Sequence, residues 1–329
     1  MPNEPMSMIL GTGSAISGKV VTNHDLEKII DTSDEWIRER SGIEKRHILE
    51  DEKTNSDIAA EAAQHALTSA GLKAEELTTI IIGTVTPDSR FPSTACRVQA
   101  KLGAVNAAAF DVTAACSGFI YGVILADLMI RNNPEAKVLV IGSEILTRIT
   151  DWEDRTTCVL FGDGAGAVVM GKSKDRRGIR STYMKSDGRL GDLLYMPGEG
   201  STHPSTHETI DQRLHYIKMK GREVFKHAVR AMSDAARHAL GEVGLKGSDI
   251  DLLISHQANI RIIDAIAKRL KLPDEKVFIN IQEFGNTSAA SIPIALDQAV
   301  REGRLKEGDH CLLVAFGGGF TWGSCLFRL

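Results

Sequence analysis

The chain has 329 residues, 43% of them hydrophobic and 25% charged, enough to bury a large core as one α/β unit or as two similar halves. A formal net charge of -4 argues against broad electrostatic binding of nucleic acid, and five cysteines without a CxxC pair suggest neither a disulfide framework nor a zinc site. The apolar runs read as far short of a membrane span, and no charged segment followed by an apolar one opens the chain, so a soluble, reduced, cytoplasmic protein is expected.

In chain order, Thr32-x-x-Glu35 resembles a capping box ahead of Trp36, and Thr54-x-x-Asp57 opens an Ala-rich helix that stops at Gly71. Thr79-Ile-Ile-Ile82, Lys137-Val-Leu-Val-Ile141 and Leu252-Leu-Ile254 read as buried strands, too short and too β-branched for helices. Asp111 to Gly118 leads into an apolar, helix-compatible run from Phe119 to Ile130. The charged, Gly-containing stretch from Lys172 to Gly178 suits a boundary between halves, 1–174 and 175–329, and Met196 to Ile210 reads as a loop insertion. Strands alternating with helices imply a mixed, mostly parallel sheet covered on both faces.

A faint internal repeat runs through this pattern. Placing Cys116 on Asn286 puts Asp127 on Asp297, while Ile80 to Ile82 matches Leu252 to Ile254 and Thr84 falls on His256. Val138-Leu-Val-Ile-Gly142 falls near Cys311-Leu-Leu-Val-Ala315. Cys116, His256 and Asn286 each follow a strand-like run, and in such sheets ligands gather beyond the carboxyl ends of strands, so the repeat itself can bring all three to one crevice.

Each of the three suits chemistry. A cysteine at a helix start has its thiolate favoured by unpaired N–H groups, and Ala114, Ala115, Ser117 and Gly118 leave room for a carbonyl. A buried structural thiol is the plainer alternative, and it fits Cys96, Cys158, Cys311 and Cys325 better. His256, in Ser255-His-Gln-Ala-Asn259, suits a general acid/base or a donor to a carbonyl oxygen, or else an ordinary surface or core histidine. Asn286 carries an amide donor that never titrates; the alternative is a Gly-Asn turn opening a helix. The clusters Phe161-Gly-Asp-Gly-Ala-Gly166 and Phe316-Gly-Gly-Gly-Phe320 lack the P-loop ending and the Rossmann context, which points to close backbone approach or an exposed N–H rather than phosphate cradling.

Six segments in order carry a resemblance: Asp34-Glu-Trp-Ile37, Ala115-Cys-Ser-Gly-Phe119, Phe161-Gly-Asp-Gly-Ala-Gly166, His256-Gln-Ala-Asn259, Gly285-Asn-Thr-Ser-Ala-Ala-Ser291 and Phe316-Gly-Gly-Gly-Phe-Thr-Trp-Gly323. From end to end the chain resembles the β-ketoacyl-acyl carrier protein synthase III family of the thiolase-like superfamily. The resemblance implies an α/β fold of duplicated βαβαβαββ halves in five layers, α-β-α-β-α, and a homodimer. It implies a ping-pong reaction without a permanently bound cofactor. Cys116 takes an acyl group from acyl-coenzyme A, and malonyl-acyl carrier protein then enters for decarboxylative condensation. It assigns enolate stabilisation to His256 and Asn286, an oxyanion hole to the N–H groups of Cys116 and Gly318, and pressure on the malonyl carboxylate to Phe316. Trp36, Arg40 and Arg155 correspond to contacts with coenzyme A, and Leu146 and Phe161 to walls of the acyl pocket. Phe91 corresponds to a residue that crosses to the partner's pocket and closes it, implying a short primer such as acetyl. Lys226, Arg261, Lys268 and Arg269 match docking positions for acidic carrier protein; the plainer alternative is a solvated basic face.

Three other classes fit less well. A papain-like protease places its cysteine in a CGSCW-like segment near the N-terminus, and a degradative thiolase needs a second reactive cysteine where Phe316-Gly-Gly-Gly319 has none. A catalytically dead interaction protein would not need the full Cys116, His256 and Asn286 set. The nearest rival is a synthase III-like enzyme of secondary metabolism or signalling with another acyl donor.

Overall fold

The computed structural model describes residues 6–173, 175 and 177–329, so Lys174 and Arg176 of the expected boundary stretch lie outside the described residues. Strand β1 (Ser7–Ala15) opens the chain, and β2 (Lys19–Thr22) pairs antiparallel with β3 (Lys45–Ile48) around helices α1 (Asn23–Leu26) and α2 (Asp34–Ser41). Ser33, not Thr32, starts α2: its hydroxyl accepts the Trp36 N–H at 3.1 Å, being the residue three before it. The second box forms as expected. Thr54 and Asp57 close α3 (Asn55–Ala70), and Gly71, at φ 65°, ends it in the left-handed conformation that glycine adopts freely.

Next come β4 (Thr79–Gly83), α4 (Thr94–Leu102), β5 (Ala108–Val112), α5 (Gly118–Asn132), β6 (Val138–Ile145) and β7 (Asp163–Lys172). With β1 and α3 they spell βαβαβαββ. The remainder contains β8 (Gly178–Ser186), β9 (Leu194–Tyr195), α6 (His207–Asp211), β10 (Lys218–Met219), α7 (Gly221–Glu242) and β11 (Leu252–Ser255). It ends with α8 (Ile260–Leu270), α9 (Ile281–Phe284), α10 (Ser291–Arg301), β12 (His310–Gly317) and β13 (Thr321–Arg328). The expected loop from Met196 to Ile210 thus runs into α6, capped by Thr206.

The two large sheets have strand orders β1-β7-β6-β4-β5 and β11-β12-β13-β8, which correspond strand for strand once β5 is set aside. The counterpart of β5 survives only as a parallel bridge from Leu253 to Val277. The sheets are mixed but not mostly parallel: β4–β5, β4–β6 and β11–β12 are parallel, whereas β1–β7, β6–β7, β12–β13 and β13–β8 are antiparallel. Successive strands without a crossover helix pair antiparallel.

Helix α3 covers one face of the first sheet, α5 and α10 lie between the sheets, and α7 and α8 cover the far face of the second. That is the five-layer α-β-α-β-α order. The middle layer buries Phe119, Ile120, Val123 and Ile124 of α5 with Ile292, Ala295 and Leu296 of α10, at roughly 1.5–3 kcal/mol for each large apolar side chain. Ala115–Asn132 is long and apolar enough to cross a membrane by composition alone, contrary to the expectation from the apolar runs. Its position between two sheets accounts for that apolarity.

The backbone also corrects the register of the repeat. The turns Ala115–Ser117 and Ser288–Ala290 open the two central helices, and each begins in the left-handed region, Ala115 at φ 45° and Ser288 at φ 47°. Cys116 therefore corresponds to Ala289, three residues beyond Asn286. Asp127 and Asp297 misled the alignment because each pairs with an arginine one turn on, Arg131 and Arg301, and takes hydroxyl hydrogen bonds from β1. They hold similar places at different depths along their helices.

Candidate active site

A cavity of about 1070 Å³ opens between the two halves of the chain. Its buried end is lined by Cys116, His256, Asn286, Ser288, Phe316 and Gly318, and its walls by Leu146, Phe161, Val85, Ile217 and Leu194. Trp36, Arg40, Arg222, Lys226 and Arg261 line it nearer the surface, where all but half-buried Trp36 are exposed.

Cys116 stands in the turn just before α5, beyond the carboxyl end of β5. Close approach of the glycine-rich segment after β12 makes this corner tight: a Cβ on Gly317 would lie 2.6 Å from the Cys116 nitrogen. Gly318, which also lines the cavity, follows at once. The expected stabilisation of a thiolate is not the dominant effect. Burial pushes the Cys116 thiol up to about 12, the Glu144 carboxylate adds to the rise, and the Ser288 hydroxyl opposes it.

His256 follows β11, fixed by its own N–H to Val314 O at 2.8 Å. Its Nδ1 lies 2.7 Å from Ser291 Oγ, which also accepts the Gln257 N–H at 3.3 Å. With the Ser291 hydroxyl donating to Nδ1, Nε2 carries the ring proton and is the nitrogen left for the cavity. Burial drives His256 down to about 3, so the ring is neutral at ordinary pH and acts as a hydrogen-bond donor.

Asn286 does not follow a strand, as the sequence suggested, but comes two residues after α9. The segment ahead of it holds Val277, which makes a single parallel bridge to Leu253. Asn286 is nevertheless fixed: its N–H donates to Leu160 O at 2.8 Å, and its Oδ1 accepts the Ser288 N–H at 2.8 Å. That leaves the Nδ2 hydrogens for the cavity. Beside it Phe316 is buried against Phe320, ring centres 4.6 Å apart, and gives this end an apolar face.

At the surface end the Arg40 and Arg155 guanidinium carbons each lie 4.6 Å from the centre of the Trp36 ring. Asn259 ties this region to α8, capping the helix and donating to Arg40 O at 2.7 Å. Lys226 and Arg261 line the cavity, whereas Lys268 and Arg269 sit exposed on the last turn of α8, away from it. Phe91 is not brought to the cavity of its own chain and is 85% exposed. From the expected loop, Met196 reaches the cavity wall, as does the adjoining Tyr195. That segment is anchored by Arg213 to Asp151, whose carboxyl the guanidinium holds well below its ordinary range.

The sequence reading missed Glu144, Ser288, Ser291, Arg222 and Ile217. Glu144 had a signal, being the one charge inside the buried strand that begins at Val138. Among the described residues no cluster of His, Cys, Asp and Glu is arranged to hold a metal ion.

Residues 110–188 match the family model described as 3-oxoacyl-[acyl-carrier-protein (ACP)] synthase III, and residues 240–329 match that of its C-terminal part. The chain is 54% identical over 320 residues to a beta-ketoacyl-[acyl-carrier-protein] synthase III of Caldanaerobacter subterraneus subsp. tengcongensis, covering 97% of each. The crystal structure of the 3-oxoacyl-[acyl-carrier-protein] synthase III of Aquifex aeolicus superposes with a TM-score of 0.92 at 52% identity, over 98% of this chain and 100% of that one. A priming β-ketosynthase of the R1128 polyketide pathway has the same TM-score of 0.92 at 33% identity, over 100% of this chain and 98% of that one.

Proposed function

The chain belongs to the 3-oxoacyl-[acyl-carrier-protein] synthase III family of condensing acyltransferases, and from that premise we propose that it joins a short acyl group, carried on Cys116, to malonyl-acyl carrier protein. The observation that carries this reading is the meeting of Cys116, His256 and Asn286 at the buried end of a single cavity. Cys116 attacks the thioester of acyl-coenzyme A, and free coenzyme A leaves. Malonyl-carrier protein enters, and the Nε2–H of His256 and the Nδ2–H of Asn286 donate to its thioester oxygen as carbon dioxide departs. The enolate then attacks the acyl-cysteine, whose oxyanion is met by the N–H groups of Cys116 and Gly318. Phe316 disfavours the charged malonyl carboxylate by offering it no polar partner.

Coenzyme A is a substrate in this scheme and not a resident cofactor. Trp36, Arg40 and Arg155 take its nucleotide end, the ring by stacking and the guanidinium groups by charge-assisted bonds to phosphate. Carrier protein docks on the basic face of Lys226, Arg261, Lys268 and Arg269. Replacing Lys268, which lies outside the cavity, by Glu is expected to raise the KM for malonyl-carrier protein by about 3- to 10-fold while acylation by acyl-coenzyme A is unchanged. Steady-state kinetics of the two half-reactions check this, and equal losses in both would place docking elsewhere.

The active form is a homodimer. Support comes from β5, the edge of its sheet, whose Phe110 and Val112 remain half-buried and whose outer edge is open to a second copy. Exposed Phe91 then closes the partner's acyl pocket, opposite Leu146 and Phe161. Five free cysteines agree with a reducing, cytoplasmic setting.

The test is a panel of acyl-coenzyme A donors, with malonyl-carrier protein as the second substrate. Acetyl or a short branched acyl group is expected to be preferred, because extra methylenes in a filled pocket cost about 1–3 kcal/mol. Phe91→Thr should extend the range to longer chains. A wild-type preference for dodecanoyl over acetyl donors would overturn the short primer. Identity of 54% with a synthase III, against 33% with the polyketide priming enzyme, favours primary fatty-acid synthesis over specialised metabolism.

A further inference from the structure

Arg46, on β3, is 0% exposed and takes no part in the scheme above. A buried cation is costly unless it is paired and hydrogen-bonded. Its acceptors among the described residues are all uncharged: Val159 O at 2.7 Å, Asn23 Oδ1 at 2.8 Å and, more distantly, Val21 O at 3.4 Å. Nε is buried as well and has no partner. Burial draws the guanidinium down to about 10, which still leaves it charged at neutral pH. A neutral apolar side chain would avoid that cost, so the charge points to the backbone it grips.

That backbone belongs to one wall of the cavity, which Val159, Leu160 and Phe161 line in succession. Phe161 and Asn286 form a parallel bridge: the Asn286 N–H donates to Leu160 O at 2.8 Å, and the Gly162 N–H donates to Asn286 O at 3.1 Å. Each member of the bridge adjoins a glycine, and both glycines close over the arginine. A Cβ on Gly162 would lie 3.1 Å from the Arg46 Cβ, and one on Gly285 would lie 3.4 Å from it. Gly285 also stands at φ 67°, where a side chain is strained. The second acceptor is itself held, since the Asn23 Nδ2 donates to Ile43 O at 2.7 Å and to Asp34 Oδ1 at 2.9 Å. Arg46 thus sits beneath the bridge, bonded to the residue just before the Leu160 carbonyl that fixes Asn286.

We infer that Arg46 is a positioning residue for condensation, holding the 159–162 segment so that Asn286 presents its Nδ2 hydrogens to the thioester oxygen. It does not line the cavity, so it acts on the reaction only through that segment. The Cys116 turn is held by other contacts, against the glycine-rich segment after β12, and acylation therefore depends on Arg46 far less. The inference rests on the reading of Asn286 as a donor to the developing enolate.

Single-turnover rates of the two half-reactions test it. Acetyl-coenzyme A first gives the acyl adduct, whose amount by intact mass counts the folded, competent sites. Malonyl-carrier protein then gives the condensation rate per acylated enzyme, which a smaller folded fraction does not change. Arg46→Met should slow this rate about 10- to 100-fold, the scale that a misplaced group costs, and acylation far less. In the Asn286→Ala background the same change should cost less than about threefold, because the donor it positions is gone. Equal slowing of both half-reactions, or the full further loss in that background, overturns the inference. If Arg46→Met does not fold, Arg46→Lys takes its place, since lysine keeps the charge but its single ammonium does not span both Val159 O and Asn23 Oδ1. Condensation by that variant at the wild-type rate overturns the inference equally. Wild-type condensation by Asn286→Ala alone would defeat the underlying reading. A slow Asn286→Ala beside an unaffected Arg46→Met would defeat this inference and leave that reading standing.

Discussion

Cys116→Ala abolishes acyl transfer from coenzyme A to the protein, a loss on the order of 10⁶ in rate for removal of a nucleophile. The other four thiols cannot replace it. Cys158, Cys311 and Cys325 are each 0% exposed, and burial pushes all three up. Cys96 is exposed on α4 but lies outside the cavity, with its thiol directed at Ala109 O. Incubation with acetyl-coenzyme A and peptide mapping should find one adduct, on Cys116, and none in the variant. An adduct at Cys96, or one that persists in Cys116→Ala, would remove the nucleophile from this account.

His256→Ala and Asn286→Ala separate the two half-reactions. Loss of one positioned donor to a developing oxyanion costs about 10²–10³ in rate, and here the cost should fall on condensation while acylation survives. The pH dependence follows from the buried ring. Burial lowers His256 from 6.5 to about 3, so protonation, which would remove its neutral form, occurs only in strong acid. Condensation by enzyme already carrying an acyl group should show no acid limb near the ordinary histidine pKa. A limb at that position, or wild-type condensation by both variants, would return His256 and Asn286 to a structural role.

Much of the scaffold was legible because local rules act alone there. Thr54 and Asp57 close a helix with their own side chains, and the Ile80 to Ile82 and Leu252 to Ile254 runs suit nothing so well as a strand covered on both faces. What failed depended on contacts made elsewhere. Thr32 and Ser33 are equivalent caps by type, and only the Trp36 N–H chooses between them. The β-branched residues around Val277 lack a full neighbouring edge and form a bridge, which left Asn286 after a helix. The repeat was visible, but paired aspartates set its register because ion pairs recur at any helix depth.

The candidate site divides in the same way. Cys116, His256 and Asn286 stand in distinctive local sequence, and the cavity gathers them. A helix start is written in sequence and desolvation is not, so the rise that burial imposes on the Cys116 thiol was not legible. Ser288 and Ser291 look alike as small polar residues, yet one lines the cavity with Cys116 and the other lies against His256 Nδ1. Lys268 and Arg269 share a helix with Arg261 but not its cavity, since they stand about two turns further along it, beyond the pocket opening.

A single-turnover chase addresses the ping-pong reaction most directly. Enzyme labelled with isotopic acetyl-coenzyme A is freed of excess donor and mixed with malonyl-carrier protein, and the label is followed together with carbon dioxide. The label should leave Cys116 and appear in a 3-oxoacyl chain on the carrier protein, with one carbon dioxide released for each acyl group transferred. Release of the label as free acid, or its retention on Cys116 while carbon dioxide forms, would contradict the assignment.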